Sequence, residues 1–283
     1  NNGRLSEIGS PDGKKTQYTY DAKGNKTFEG YFDSDQSFAA TSRTFTYDDL
    51  GRLRSMTDSS LGKTIQYEFD QNGNRSAITD AEGKVTRWEY DRNNRPAKVI
   101  DSDGSVTRYE YDVAGRRTKA LYGNGVWTEY SYDSSSQLIH MVTRDRTNQI
   151  LQGWHYLYDL RGNRTSKTDH AGNVEAYLYD GLGRLTQTTY PGGRIVLWTY
   201  DAVGNRLTQD DAGSVTAYMY NAANQIEYSV SPSGAYTSFY FDANGNMINK
   251  IDSSGVTQYT WDFENRLRQV SSPSGTTTFG YDA

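Results

Sequence analysis

Aspartate is the residue of this chain whose repetition could signify chemistry. An aromatic residue followed by Asp recurs at Asp21, Asp48, Asp70, Asp91, Asp112, Asp133, Asp159, Asp180, Asp201, Asp242, Asp262 and Asp282, with Asn221 standing in once. A carboxylate can act as a general acid or base, ligate calcium or cap a turn. Catalysis needs one carboxylate set apart by its surroundings, and twelve equivalent ones are not set apart. An EF-hand needs alternating acids and a closing glutamate, and calcium-binding β-rolls repeat at a far shorter period. Neither pattern is present. The histidines, His140, His155 and His170, fit no metal spacing. Gly123-Asn124-Gly125 is read as a hairpin turn, because no helix follows it to cradle a phosphate. Trp127 and Trp154 fall outside the aromatic pattern, and Trp154 with His155 is the best off-pattern candidate for a contact. The expectation is therefore no catalytic residue, no cofactor and no metal.

The bland reading of the Asp is the informative one. Gly stands three residues after it in Tyr20-Asp21 with Gly24, Tyr111-Asp112 with Gly115 and Tyr179-Asp180 with Gly183. Tyr200-Asp201 with Gly204 and Phe241-Asp242 with Gly245 repeat the arrangement. Asp first and Gly fourth suit a type I turn closed by a left-handed residue. Where Gly is missing, Asn94, Asn224 and Asn265 replace it, and Asn tolerates positive φ best after Gly; only Ser136 departs. A companion turn occupies the other half of the repeat, as in Ser10-Pro11-Asp12-Gly13 and Ser231-Pro232-Ser233-Gly234, with Pro191 and Pro273 at the same second position.

The elements that carry these turns follow from the aromatic residues. One precedes every Asp and another lies two residues earlier, so the two share a face of a strand; on a helix they would diverge. Each repeat is thus a β-hairpin, and the chain is expected to be all-β: a long antiparallel meander of tandem hairpins of about 21 residues. Ten of the twelve gaps between copies are 20–22 residues. The two longer ones place insertions near 29–43 and 143–155 in one continuous array over 1–283. These are expected to mark a once-per-turn adjustment of a spiral, or protruding loops. A sheet of this many strands should curl, split or close into part of a hollow spiral barrel or cocoon wall, stabilised by cross-strand aromatic contacts. The residue between the two aromatics is polar early (Thr19, Glu68, Glu89, Glu110) and more apolar late (Leu157, Leu178, Met219, Tyr240). The later part is expected to contact another segment or a cargo.

Composition narrows the partners. The chain has 283 residues, 24 Tyr, 27 Gly, no Cys and a net charge of −5. Its mean hydropathy of −0.85 does not mean disorder, because Tyr scores as polar yet buries a large ring. No basic block invites nucleic acid, no run is long enough to span a bilayer, and the absence of Cys excludes disulfides and thiolate chemistry. The chain enters the repeat just after an Asp position, at Asn1-Asn2-Gly3, and stops just after another, at Asp282-Ala283. It is expected to be a piece of a longer array.

The stretches YEYDVAGRR at 109–117, YLYDGLGRL at 177–185 and WTYDAVGNR at 198–206 resemble the YD (Rhs) repeat family, and the resemblance covers essentially the whole chain. It implies a β-shell that encloses a C-terminal toxin, as in bacterial Rhs polymorphic toxins and the C component of Tc complexes, or the hollow barrel of teneurins. The expected role is that of a non-enzymatic, secreted or cell-surface shell segment. Its partners would be other segments of its own shell and an enclosed toxin. An adhesion or carbohydrate-binding surface, with glycans as partner, is the alternative. A glycosidase is disfavoured, because no carboxylate pair stands apart from the repeat.

Overall fold

Aromatic and β-branched residues alternating with polar ones over five to nine residues, bounded by Asp, Asn and Gly, dictate strands. The structure, a computed structural model, describes residues 3–9, 14–32, 41–262 and 265–281. The Pro11 turn, the Asp282 copy and the centre of the first insertion (33–40) lie outside the described residues. Among those described there are 26 strands and no helix. The chain divides into two compact units, Asn1–Glu129 with Arg144–Gln149 and Asp282–Ala283, and Tyr130–Thr143 with Ile150–Tyr281.

Each unit is an antiparallel meander. In the first, every strand from Glu7–Gly9 onward pairs with the next, up to the pairing of Arg117–Leu121 with Trp127 and its successors. In the second, the same holds from Ile150–Tyr158 to Gly275–Thr278. The element contacts described within each unit are all between sequence neighbours. Burial is accordingly sparse. Ala77, Ala120 and Val196 are buried, and no large side chain among the described residues is fully enclosed.

At the Asp end of each hairpin the register shifts by a residue: Thr199 faces Thr208 but Tyr200 faces Arg206, and Thr19 faces Phe28 but Tyr20 faces Lys26. The odd residue is a β-bulge, which bends and twists its strand. The ladder to the following hairpin also stops short at this end. Its last pair is Gln187 with Leu197, leaving Leu185 two residues beyond. Each hairpin is thus fully paired within itself and only partly paired to its successor.

The second insertion falls within two long strands, Leu138–Arg144 and Ile150–Tyr158, and the corner between them. Its corner, Asp145 to Gln149, repeats the Asp turn: Asp145 N–H donates to Gln149 O at 3.0 Å and Asn148 N–H to Asp145 O at 2.9 Å, with Asn148 at φ 69°. Asp-x-x-Asn-Gln was visible in the sequence, but Arg144 replaces the aromatic residue that marks the other copies.

Candidate functional site

The Asp of the corner is engaged in holding its own turn. At Asp201, Oδ1 accepts the N–H of Val203 (3.0 Å) and Asn205 (2.8 Å), and Oδ2 accepts Asn205 Nδ2 at 2.9 Å. Asp112 repeats this with Ala114, Arg116 and Arg116 Nε, and Asp180 with Leu182, Arg184 and Arg184 Nε. Asp21 and Asp242 use the side chains of Asn25 and Asn246. Gly24, Gly115, Gly183, Gly204 and Gly245 all have positive φ, as do Asn94, Asn224, Asn265 and Ser136. The structure therefore brings each Tyr/Phe-Asp-Gly set together as a turn. Among the described residues no cluster of His, Asp and Glu could hold a metal.

These bonds hold the carboxyls below their ordinary range. At Asp21, Asp70 and Asp242 the main cause is the Asn side chain four residues on, and at Asp48 and Asp112 the backbone N–H of the Arg there. At Asp201 burial opposes ionisation most strongly, and Asn205 overcomes it. A carboxyl whose folded pKa is depressed stabilises the fold above its unfolded pKa and loses that contribution as pH falls through the folded value. Urea midpoints are therefore expected to be insensitive to these groups above about pH 5 and to fall below about pH 4. Asn221 makes the equivalent bonds to Ala223 and Gln225 without titrating. Asp201→Asn should accordingly flatten the acid limb; an unchanged limb would count against the corner as its origin.

The aromatic residue before the Asp ties one hairpin to the next. Tyr20 donates its hydroxyl to Leu5 O, Tyr111 to Pro96 O, Tyr179 to Arg164 O and Tyr200 to Leu185 O, at 2.7–2.8 Å. Trp261 does the same through Nε1 to Met247 O at 2.7 Å. In each case the acceptor is the carbonyl left just beyond the shortened ladder, so the ring tip replaces a missing backbone pair. Burial pushes the Tyr111 and Tyr179 hydroxyls up in pKa and keeps them protonated donors. Phe241 and Phe69 lack the group. Tyr200→Phe is expected to cost about 1 kcal/mol and Phe69→Tyr to restore a similar amount at Leu53, read as shifts in urea midpoint; Phe69→Tyr leaving stability unchanged would contradict this.

A second rung joins the corners. Arg95 and Arg184, four residues after their Asp, donate to Asp112 O (3.3 Å) and Asp201 O (2.7 Å) and lie 4.5 and 4.9 Å over the Tyr111 and Tyr200 rings. Where the rung is Asn, it can instead reach the next left-handed residue: Asn74 donates to Asn94 Oδ1, Asn205 to Asn224 and Asn246 to Asn265, at 2.8–3.0 Å. Cation–ring contacts thus do much of the work expected of ring–ring contacts. Tyr228 and Tyr236 form an aromatic pair, with centroids 5.7 Å apart.

The two faces of each sheet differ. One carries the paired aromatic residues, and Trp154 belongs to it, on the same side as Tyr156 and Tyr158 of its strand. His155 points to the other side and is exposed, so the two do not form one contact site. Trp127 is explained by Lys119 and Arg144, whose charges lie 4.4 and 5.7 Å from its ring.

The opposite face is the part that sequence reasoning only half found. In the first unit it pairs charges across strands, Glu89 with Lys98 at 2.7 Å and Glu129 with Lys119 at 3.8 Å. In the second unit Leu157, Leu178, Met219 and Tyr240 are about half exposed there. Ile195 and Leu197 share their strand's face with Thr199, Val174 with Leu178, Val215 with Met219, and Tyr236 with Tyr240; these five further apolar residues are exposed. The alternation could have signalled this, because the fourth residue before Leu178, Met219 and Tyr240 is itself apolar.

A meander of capped hairpins, tied corner to corner, defines a tandem β-hairpin repeat protein. The teneurin YD-shell family model matches residues 36–182 and 96–259, and an RHS-repeat model matches 1–27. The chain belongs to the YD-shell family. Its fold is similar to that of the Tc holotoxin pore of Photorhabdus luminescens, with a TM-score of 0.61 and 17% identity over 95% of this chain and 17% of that one. The TcdB2–TccC3 crystal structure gives 0.60 and 17% identity, over 95% of this chain and 18% of that one. The chain therefore spans less than a fifth of those chains. No curated protein matches. No helix among the described residues is long and apolar enough to cross a membrane.

Proposed function

We propose that the chain is a non-catalytic wall segment of a larger secreted bacterial YD shell, which encloses a toxin polypeptide encoded beyond it and helps deliver it. The observation that supports this reading is a meander whose described strands pack on their sequence neighbours, built from corners whose polar groups are bonded within the turn. Such a meander gains its stability from neighbouring repeats and leaves both faces available, one to solvent and one to contents. Family membership and the likeness to Tc shell chains point the same way. The test is electron microscopy with limited proteolysis of the full-length gene product. A hollow particle with a protease-protected internal polypeptide is expected; an extended rod, or contents digested at the rate of a free domain, would refute the reading.

A further inference from the structure

Tyr228 and Tyr236 stand apart from the tyrosines of the aromatic rows. Tyr228 lies on the strand Ile226–Val230, and Tyr236 opens the strand Tyr236–Phe241. Tyr228 faces Ser238 and Tyr236 faces Val230, so the two are diagonal neighbours across the pair. Their ring centroids are 5.7 Å apart and the ring planes are tilted by 45°. The repeat does not require rings here. The equivalent pairs are Gln187 with Ile195, Thr208 with Val215 and Asn249 with Val256, and no other copy carries two aromatic residues.

Their surroundings differ in two respects that govern the oxidation of a phenol. Tyr200 and Tyr220 have their hydroxyls tied to Leu185 O and Arg206 O, which fixes each ring in place. Tyr218 has the Arg206 guanidinium 4.4 Å from its ring centroid, and a cation over the face opposes loss of an electron. Among the described residues, Tyr228 and Tyr236 have neither a hydroxyl partner nor a cation over the ring. Tyr236 is 63% exposed, so an oxidant can reach it. The chain has no Cys to reduce a tyrosyl radical before it couples.

We propose that Tyr228 and Tyr236 form an oxidative coupling site, closed to a dityrosine cross-link by hydrogen peroxide with a haem peroxidase. Each phenol gives up one electron and its hydroxyl proton. The ring carbons ortho to the two oxygens then join, and the hydrogens on those carbons pass to the oxygens, restoring both hydroxyls. Hydrogen peroxide takes up the two electrons and two protons and leaves as two waters. The product ties successive hairpins covalently in a chain that cannot form a disulfide. It does not rest on the shell reading.

The test treats the 283-residue chain, at low protein concentration, with hydrogen peroxide and a plant haem peroxidase. A product lighter by two hydrogens is expected in tryptic peptide 207–250, with no backbone fragments between Tyr228 and Tyr236. That spectrum locates the bond in the wild type, whatever a variant does to folding. Tyr228→Phe and Tyr236→Phe should each lower dityrosine fluorescence at least about tenfold, because a held pair couples far faster than a diffusing one. Tyr240→Phe, on the same strand face as Tyr236, should leave it unchanged. Unfolding in urea before oxidation should spread the coupling over other tyrosines. No dityrosine from the wild type or undiminished fluorescence in either pair variant would overturn the proposal. So would a yield that rises with protein concentration, selectivity that survives urea, or oxygen addition at Met219 in place of hydrogen loss.

Discussion

Val196→Asp is expected to destabilise the fold by at least about 3 kcal/mol. Val196 is 2% exposed on the aromatic-bearing face of its strand. Its cross-strand partners are Thr188, also buried, and Asp211. A carboxylate there would be buried opposite Asp211, whose charge is already paired with Arg194 at 3.3 Å, so it would have no cation of its own. Val196→Thr is the control, because Thr128 and Thr216 hold the same place in their repeats; it should cost no more than about 1.5 kcal/mol. Urea is the denaturant of choice, since it leaves the charge term unscreened. An Asp variant within about 1 kcal/mol of wild type would mean that the thin wall relaxes to hydrate this site.

Gly183→Val should cost about 2–3 kcal/mol, because φ is +78° and a β-branched residue is strained there. Gly183→Asn should cost less than about 1 kcal/mol. Asn tolerates the left-handed region, and Asn163 already stands beside the glycine: a Cβ there would sit 3.6 Å from Asn163 Oδ1. Asn74 with Asn94 shows the rung that would form. Equal losses for the two variants in urea titrations would show that backbone strain, and not the rung, sets the choice at this position.

Both predictions use residues whose roles were unequally legible. The Asp and the left-handed residue could be read from the sequence because a turn is local: its hydrogen bonds close within five residues, and Asn94 and Asn224 betrayed the positive φ that Gly conceals. The strand reading rested on a local period too. By contrast, the acceptor of the Tyr200 hydroxyl, Leu185 O, lies fifteen residues away along the chain. The bulge was hidden for the same reason, since a register shift belongs to a pair of strands. Trp154 was set apart as irregular, yet it lies one step along the face of Tyr156, and His155 was grouped with it although alternation turns them apart.

The sequence by itself determined an all-β repeat with Asp corners and a drift toward apolar residues in its later half. Only the tertiary structure decided which groups tie one hairpin to the next and that the apolar residues of successive strands merge into one face. The physical reason is range. Turn and strand preferences act between residues a few positions apart, whereas rungs and faces exist only once antiparallel register brings together residues about 15 to 20 positions apart.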